Sequence, residues 1–311
     1  VQIVPHAQRA AAHLTVFQRT PAWVFPHPDR SVKSWERRLY RLLPFTQKLV
    51  RARVYATHEL LMLPLAKRPR MRRPVQKVAE DHLRAQVADP ELRAALTPTF
   101  DPGCKRFLRS NEFYPALQAD NVDLVTDRIV EVAPNGLVTA DGVKHEVDTI
   151  VWATGFRVTD HPMARRVRGR DGRTLAEAWG DQGPRAYLGT TVAGFPNLFL
   201  LSGPNTAIGH TSLLYMLESQ YPYVVGALRH LEASGAAAVD VRPEVLDAYD
   251  AELQAALAPT VWNAGGCSSW YLHESGRNPT IWPDFTWRFR RRTRRFDPAP
   301  YETLGPAGSG R

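Results

Sequence analysis

The sequence predicts an α/β chain, and three observations carry that prediction. A helical stretch at the start runs straight into a short strand rich in β-branched and aromatic residues. A long Arg-, Leu- and Ala-rich block has helical spacing and few β-branched runs. Two later apolar runs end abruptly at small-residue turns, Ala153-Thr154-Gly155 and Gly203-Pro204-Asn205. Apolar strands that stop at such turns, alternating with amphipathic helices, are the pattern of βαβ architecture.

The elements follow in order. Residues 1–13 place Val1, Val4, Ala7 and Ala11 at helical spacing. Residues 14–17 (Leu-Thr-Val-Phe) read as a strand ending in the loop 18–21. A helix feeding a strand fits a βαβ unit whose first strand is absent. From Ser34 to about Leu96 several helices are expected, broken near Pro64, Pro69, Pro74 and Pro90. Strands are expected at 122–125, 129–132, 137–139 and 147–152, with Asn135-Gly136 and Asp141-Gly142 as turns. A further buried strand is expected at 198–202, then helices over 211–226 and 243–258. The tail from Trp262 is rich in Trp, Gly and Arg, and its last residues, 305–311, read as disordered.

Composition narrows the class. The 311 residues are 44% hydrophobic and 23% charged, an ordinary globular balance with enough chain for a sizeable core. No run is long and apolar enough for a membrane span, and no leader pattern opens the chain. Cys104 and Cys267 are too few for a disulfide framework, so a reduced, cytoplasmic protein is the expectation. His6, His13, His58, His82, His161, His210 and His273 have no metal-ligand spacing, and no Gly-x-Ser-x-Gly elbow occurs. No metal is expected. The net charge of +9 sits mostly in 33–73 and 288–295. The second run could serve as a nucleic-acid arm. Trp282, Phe285, Trp287, Phe289 and Phe296 in and around it read instead as anchors to a folded body, so no nucleic-acid partner is expected.

Five patches then fall in one order. They are 14–26 (Leu-Thr-Val-Phe-Gln-Arg-Thr-Pro-Ala-Trp-Val-Phe-Pro), 104–108 (Cys-Lys-Arg-Phe-Leu) with Phe113, Tyr114, Asn121 and Val122, 148–156 (Asp-Thr-Ile-Val-Trp-Ala-Thr-Gly-Phe), 194–205 (Gly-Phe-Pro-Asn-Leu-Phe-Leu-Leu-Ser-Gly-Pro-Asn) and 269–271 (Ser-Trp-Tyr). As an ordered set they resemble the flavin-containing Baeyer–Villiger monooxygenases, such as cyclohexanone and phenylacetone monooxygenase. The resemblance implies two Rossmann-like dinucleotide-binding domains, one for FAD and one for NADP, with a helical insertion. It would assign 1–22 and 102–155 to the NADP domain, 27–101 to the insertion and 156–311 to the closing half of the FAD domain. The family's two Gly-x-Gly-x-x-Gly/Ala loops do not occur here, and the chain opens on Val1 in mid-pattern. A segment incomplete at its N-terminus, retaining FAD poorly by itself, is therefore the expectation.

The resemblance also implies roles. Arg19 and Thr20, just past a strand, and Lys105 would hold the 2′-phosphate of NADPH, since an Arg at that place in a Rossmann domain accommodates the phosphate. Arg106 would be the catalytic arginine. A guanidinium keeps its charge at working pH and stabilises the anionic oxygen nucleophile and its carbonyl adduct. Asn205 and Thr211 would meet the flavin, Trp270 would lie near NADP, and Thr154 and Gly155 would allow close packing. The implied reaction uses FAD, NADPH and O2 to place oxygen beside the carbonyl of a small apolar ketone. Oxidation at nitrogen or sulfur, a basic binding module and an inactive fragment are the competing readings.

Overall fold

The computed structural model describes residues 1–155, 158 and 160–305. Phe156 of the fourth-strand junction and residues 306–311 of the tail lie outside the described residues. In chain order the elements are α1 (Ile3–Ala10), β1 (Leu14–Phe17), β2 (Val24–Phe25), α2 (Ser34–Leu42), α3 (Pro44–Lys67), α4 (Arg72–Gln86), α5 (Pro90–Ala95), β3 (Leu108–Arg109), α6 (Phe113–Ala116), β4 (Val122–Val125), β5 (Ile129–Ala133), β6 (Gly136–Thr139) and β7 (Lys144–Glu146). They continue with α7 (Leu175–Trp179), α8 (Leu213–Ser234), β8 (Ala238–Val241), α9 (Pro243–Leu257), α10 (Val261–Ala264), α11 (Thr286–Thr293) and β9 (Tyr301–Leu304). The chain divides into two compact units, each made of two separate stretches. One comprises Val1–Lys33 and Arg70–Phe156, the other Ser34–Pro69 and Arg157–Arg311.

In the first unit β1 pairs with β4 and β2 with β3, both parallel. Parallel partners need a crossover, and α4, α5 and α6 supply it. The core gathers Val24, Leu83, Val87, Leu96, Phe113, Tyr114 and Leu117 from those strands and helices. The hydroxyl of Tyr114 loses water there, and burial pushes its pKa up to about 12. Next to this core β5, β6 and β7 form an antiparallel meander. Its tight point is Gly136, where a Cβ would stand 2.1 Å from the His145 carbonyl oxygen. Gly142 turns the second hairpin with φ +84°, a left-handed conformation that favours glycine.

In the second unit α8, α9, α11, β8 and β9 share a core of Met216, Tyr223, Val241, Tyr249, Leu253, Trp282, Phe289 and Tyr301. The tail closes it. Trp282 and Phe289 are fully buried, and β9 pairs antiparallel with β8. A smaller cluster of Ala164, Leu175, Ala186, Val192 and Phe195 lies beside α7. That short helix starts at a capping box in which Thr174 and Glu177 exchange side-chain and backbone hydrogen bonds.

Several expectations are corrected. The helix α3 runs through Pro64 instead of breaking there. Leu60, whose carbonyl loses its i+4 donor, is in an exposed stretch where water can replace it. Pro74 likewise sits inside the first turn of α4, where no intrahelical donor is lost. The 211–226 helix extends to Ser234, through Pro222. Residues 147–152 and 198–202 are not strands among the described residues. A strand needs a ladder of hydrogen bonds to a neighbour, and these runs have isolated ones instead, such as the Val147 N–H to the Asn135 carbonyl and the Leu200 N–H to that of Thr190. Val151 and Trp152 are accordingly exposed, at 62% and 64%. At 198–202 the side chain of Gln220 substitutes for a neighbour. It accepts from the Ser202 N–H (2.9 Å) and donates to the carbonyls of Gly189 (2.9 Å) and Leu200 (3.3 Å).

Candidate functional site

Each unit holds its own group of candidate residues. In the first unit, the end of β1 is fixed when the Gln18 N–H donates to the Val125 carbonyl. The chain then turns out, and Arg19 and Thr20 are exposed. Lys105 and Arg106 arrive from the loop ahead of β3. That loop is braced on three sides. The Trp23 indole N–H donates to the Phe100 carbonyl at 2.8 Å. Buried Arg72 pairs with the Asp101 carboxylate. The Cys104 N–H donates to the Asp101 carbonyl. Lys105 is half-buried with its ammonium 5.0 Å from the centre of the Phe100 ring.

The electrostatics of this pair are informative. Partial burial pushes the Lys105 ammonium below its ordinary pKa, and the nearby Arg19 charge lowers it further. Two cations therefore act on one patch of space. Neither has an acidic partner among the described residues. Like charges held together in this way are complementary to a dianion such as a phosphate monoester. Arg106, the next residue, is exposed and also without a hydrogen-bond or ion-pair partner among the described residues. The structure thus brings Arg19, Thr20, Lys105 and Arg106 to one unit, with the Arg19 and Lys105 charges close enough to act on each other. Thr154 and Gly155 are exposed. Gly155 has a φ of +93°, a left-handed conformation that favours glycine.

In the second unit Asn205 is buried with φ +56°. Its side-chain amide donates to the carbonyls of Asn278 (2.8 Å) and Ile281 (3.0 Å), and its backbone N–H donates to Pro279. Both amide hydrogens are therefore committed to holding the 278–281 segment, which leaves only Oδ1 for a ligand. Thr211 is half-buried and accepts the Ser212 N–H at 2.5 Å. Ser212 caps α8 without a side-chain hydrogen bond, so first-turn amides of that 22-residue helix remain open to an anion. Trp270 is 47% exposed and stands edge-on to buried Tyr271, ring centres 4.6 Å apart.

One cluster escaped the sequence. Glu59 on α3 and His210, just ahead of α8, are both buried, with the His210 Nε2 3.5 Å from the carboxylate. The same carboxylate accepts the Thr286 N–H (3.2 and 3.3 Å) and the Thr286 hydroxyl at the start of α11. Tyr55 completes the chain, its hydroxyl 3.0 Å from that of Thr286. Burial pushes the Glu59 carboxyl up, but His210 and Thr286 outweigh it and hold the group below its ordinary pKa. The available signal was the position of His210 between Gly209 and a helix start, where a ring can be enclosed. No group of three or more metal-ligating side chains occurs among the described residues, and no described helix is long and apolar enough to cross a membrane.

No family model matches the chain. It is 46% identical over 302 residues to a protein of Pseudomonas aeruginosa named Baeyer-Villiger monooxygenase, covering 97% of this chain and 57% of that protein. It is 48% identical over 308 residues to a Streptomyces coelicolor protein of the same name, covering 99% and 59%. Among solved structures, a closed cyclohexanone monooxygenase superposes with a TM-score of 0.82 at 24% identity, covering 98% of this chain and 65% of that one. A steroid monooxygenase bound to NADP superposes at 0.78 and 25% identity, covering 98% and 64%. The chain therefore has the fold of these two-dinucleotide-domain flavoproteins over the part it shares with them. It spans a little under three-fifths of the length of the curated relatives it matches.

Proposed function

We propose, from the chain's 46–48% identity to two proteins named Baeyer-Villiger monooxygenase over the segment it spans, that it forms the NADPH-reading and flavin-covering part of an enzyme that inserts oxygen beside a ketone carbonyl. One atom of O2 enters the product ester or lactone, the other leaves as water, and NADPH supplies the two electrons. A cytoplasmic location and a small apolar ketone substrate belong to the same reading. The observation that carries it is the Arg19–Lys105 cation pair, set beside Arg106 on a loop braced by Arg72 and Trp23.

The residues present fit both cofactors at specific points. Arg19, Thr20 and Lys105 would hold the 2′-phosphate that distinguishes NADPH from NADH. The open N-terminus of α8, beside Thr211, would face the anionic edge of the flavin, and Asn205 would support that loop from behind. Bound FAD supplies the oxygen activation and NADPH the reducing hydride. Arg106 then acts as a fixed cation. It stabilises negative charge on the attacking oxygen and on the carbonyl oxygen of the adduct, and it takes no proton itself. Trp270 would line the nicotinamide side as an apolar wall.

The reading is tested in two steps. The 311-residue chain is titrated with adenosine 2′,5′-bisphosphate and with AMP, following amide shifts by NMR. Preference for the bisphosphate, reduced roughly tenfold or more by Arg19→Ala or Lys105→Ala, is expected. Equal binding of both nucleotides refutes the phosphate site. In a full-length protein carrying this segment, Arg106→Ala should abolish ester formation from a cyclic ketone while flavin reduction by NADPH persists. Unchanged ketone turnover by the variant, or turnover of thioethers but not ketones by the unsubstituted protein, refutes the catalytic assignment.

A further inference from the structure

The basic run of the tail is not one feature but two. Arg288, Arg290 and Arg292 are each neutralised. Arg288 pairs with Asp284 at 2.8 Å, Arg290 with Glu218 at 3.8 Å, and Arg292 with Glu252 at 2.5 Å. Arg290 also lies over the Tyr215 ring at 4.5 Å and Arg292 over Trp282 at 5.9 Å. Arg290 and Arg292 hold α11 to α8 and α9, and Arg288 closes on the segment just ahead of the helix. Arg294 and Arg295, past the end of α11, do neither. They line a cleft of about 410 Å³ together with Arg229 and His230 of α8. None of the three arginines has a hydrogen-bond or ion-pair partner among the described residues. The neighbouring Asp297 is turned to its own turn, where it accepts the Ala299 N–H.

The rest of the cleft is apolar. Pro222, Val225, Gly226, Phe296 and Pro298 form its walls. Phe296 packs on Tyr223 (5.3 Å), His230 (5.6 Å) and Tyr301 (4.9 Å). The helix comes so close that a Cβ at Gly226 would stand 2.8 Å from the Phe296 Cβ. The buried Nε2 of His230 has no hydrogen-bond partner. Three unneutralised guanidiniums beside an aromatic and aliphatic wall make a region of positive potential that favours an anion. We propose that this cleft binds an oxyanion carrying an aliphatic body, an alkyl phosphate or alkyl carboxylate. The guanidiniums would take the head by charge-assisted hydrogen bonds, and the Pro222, Val225 and Phe296 wall would take the tail.

The test uses the 311-residue protein and octyl phosphate below its aggregation limit, followed by calorimetry and amide shifts. Octanol and inorganic phosphate report the tail and the head separately. Saturable one-to-one binding of octyl phosphate, stronger than either control, is expected. The Arg294→Ala/Arg295→Ala double variant should weaken it roughly 10- to 100-fold, because two charged contacts are lost. Arg291→Ala removes an equally exposed arginine outside the cleft and should leave binding unchanged. A uniform loss in both variants, no saturation, or equal binding of inorganic phosphate overturns the proposal. So does tighter binding of a short oligonucleotide with the same arginine dependence. Sedimentation with phosphatidylglycerol but not phosphatidylcholine vesicles, dependent on Arg294 and Arg295, supports the site with a lipid headgroup as source. Binding of free octyl phosphate without vesicle binding supports it with a soluble amphiphile.

Discussion

Replacing Glu59 by Gln should destabilise the second unit strongly and change how its stability depends on pH. The carboxylate is buried and accepts two hydrogen bonds from Thr286, one from its N–H and one from its hydroxyl, with His210 at 3.5 Å. Hydrogen bonds to a charged acceptor contribute about 1.5–3 kcal/mol each, against about 0.5–1.5 for neutral ones. Neutralising the acceptor therefore costs about 1–1.5 kcal/mol per bond. The lost His210 contact brings the total to about 2–4 kcal/mol, near the range for breaking a buried ion pair. For a folding unit of this size that lowers the melting temperature by roughly 5–15 °C. The pH dependence has a definite sign. The Glu59 pKa is lowered by folding, so its contribution is complete above the ordinary carboxyl value of 4.5 and is lost as pH falls below it. Thermal unfolding followed by circular dichroism should show a constant gap between wild type and Glu59→Gln at neutral pH that closes toward low pH. A gap below about 1 kcal/mol at neutral pH, or one that does not close under acid, refutes the reasoning.

Two further substitutions probe the backbone. Gly136→Ala would drive a Cβ into the His145 carbonyl at 2.1 Å, so β6 and β7 must separate; a loss of about 1–3 kcal/mol and faster amide exchange confined to the meander are expected. Asn205→Ala would strand the buried Ile281 carbonyl, leave that of Asn278 with only the Gln254 side-chain amide, and place alanine at φ +56°; about 2–3 kcal/mol of destabilisation is expected by denaturant unfolding, with loosened exchange at 278–281.

Local sequence order was legible, and long-range closure was not. The strands β1 and β4 and the helix α9 stand within a residue of their expected bounds, because apolar periodicity and a flanking turn act over a few residues. The runs 147–152 and 198–202 have the composition of strands but no strand neighbour among the described residues, and composition alone cannot report whether a partner is present. Pro64 was read as a breaker, whereas it sits where the lost carbonyl bond can be made up by water. The Arg19–Lys105 patch was reachable through motif resemblance. The Glu59, His210 and Thr286 cluster was not, since Glu59 and Thr286 stand 227 residues apart and no local pattern marks either. The pairing of β8 with β9 was missed for the same reason.

The two units are interleaved along the polypeptide, and the chain passes between them three times, near 33, 69 and 156. During synthesis the α3 helix leaves the ribosome long before Thr286, the residue that satisfies its buried glutamate. Residues 34–69 must therefore wait, partly unsatisfied, through the making of more than half of the chain. The same interleaving limits the molecular biologist. A fragment cut after residue 156 would retain all of the first unit but carry the 34–69 helices as an orphaned hairpin with exposed apolar faces. A clean excision of the first unit requires replacing 34–69 by a short flexible link, and that deletion, not a simple truncation, is the way to obtain either half alone.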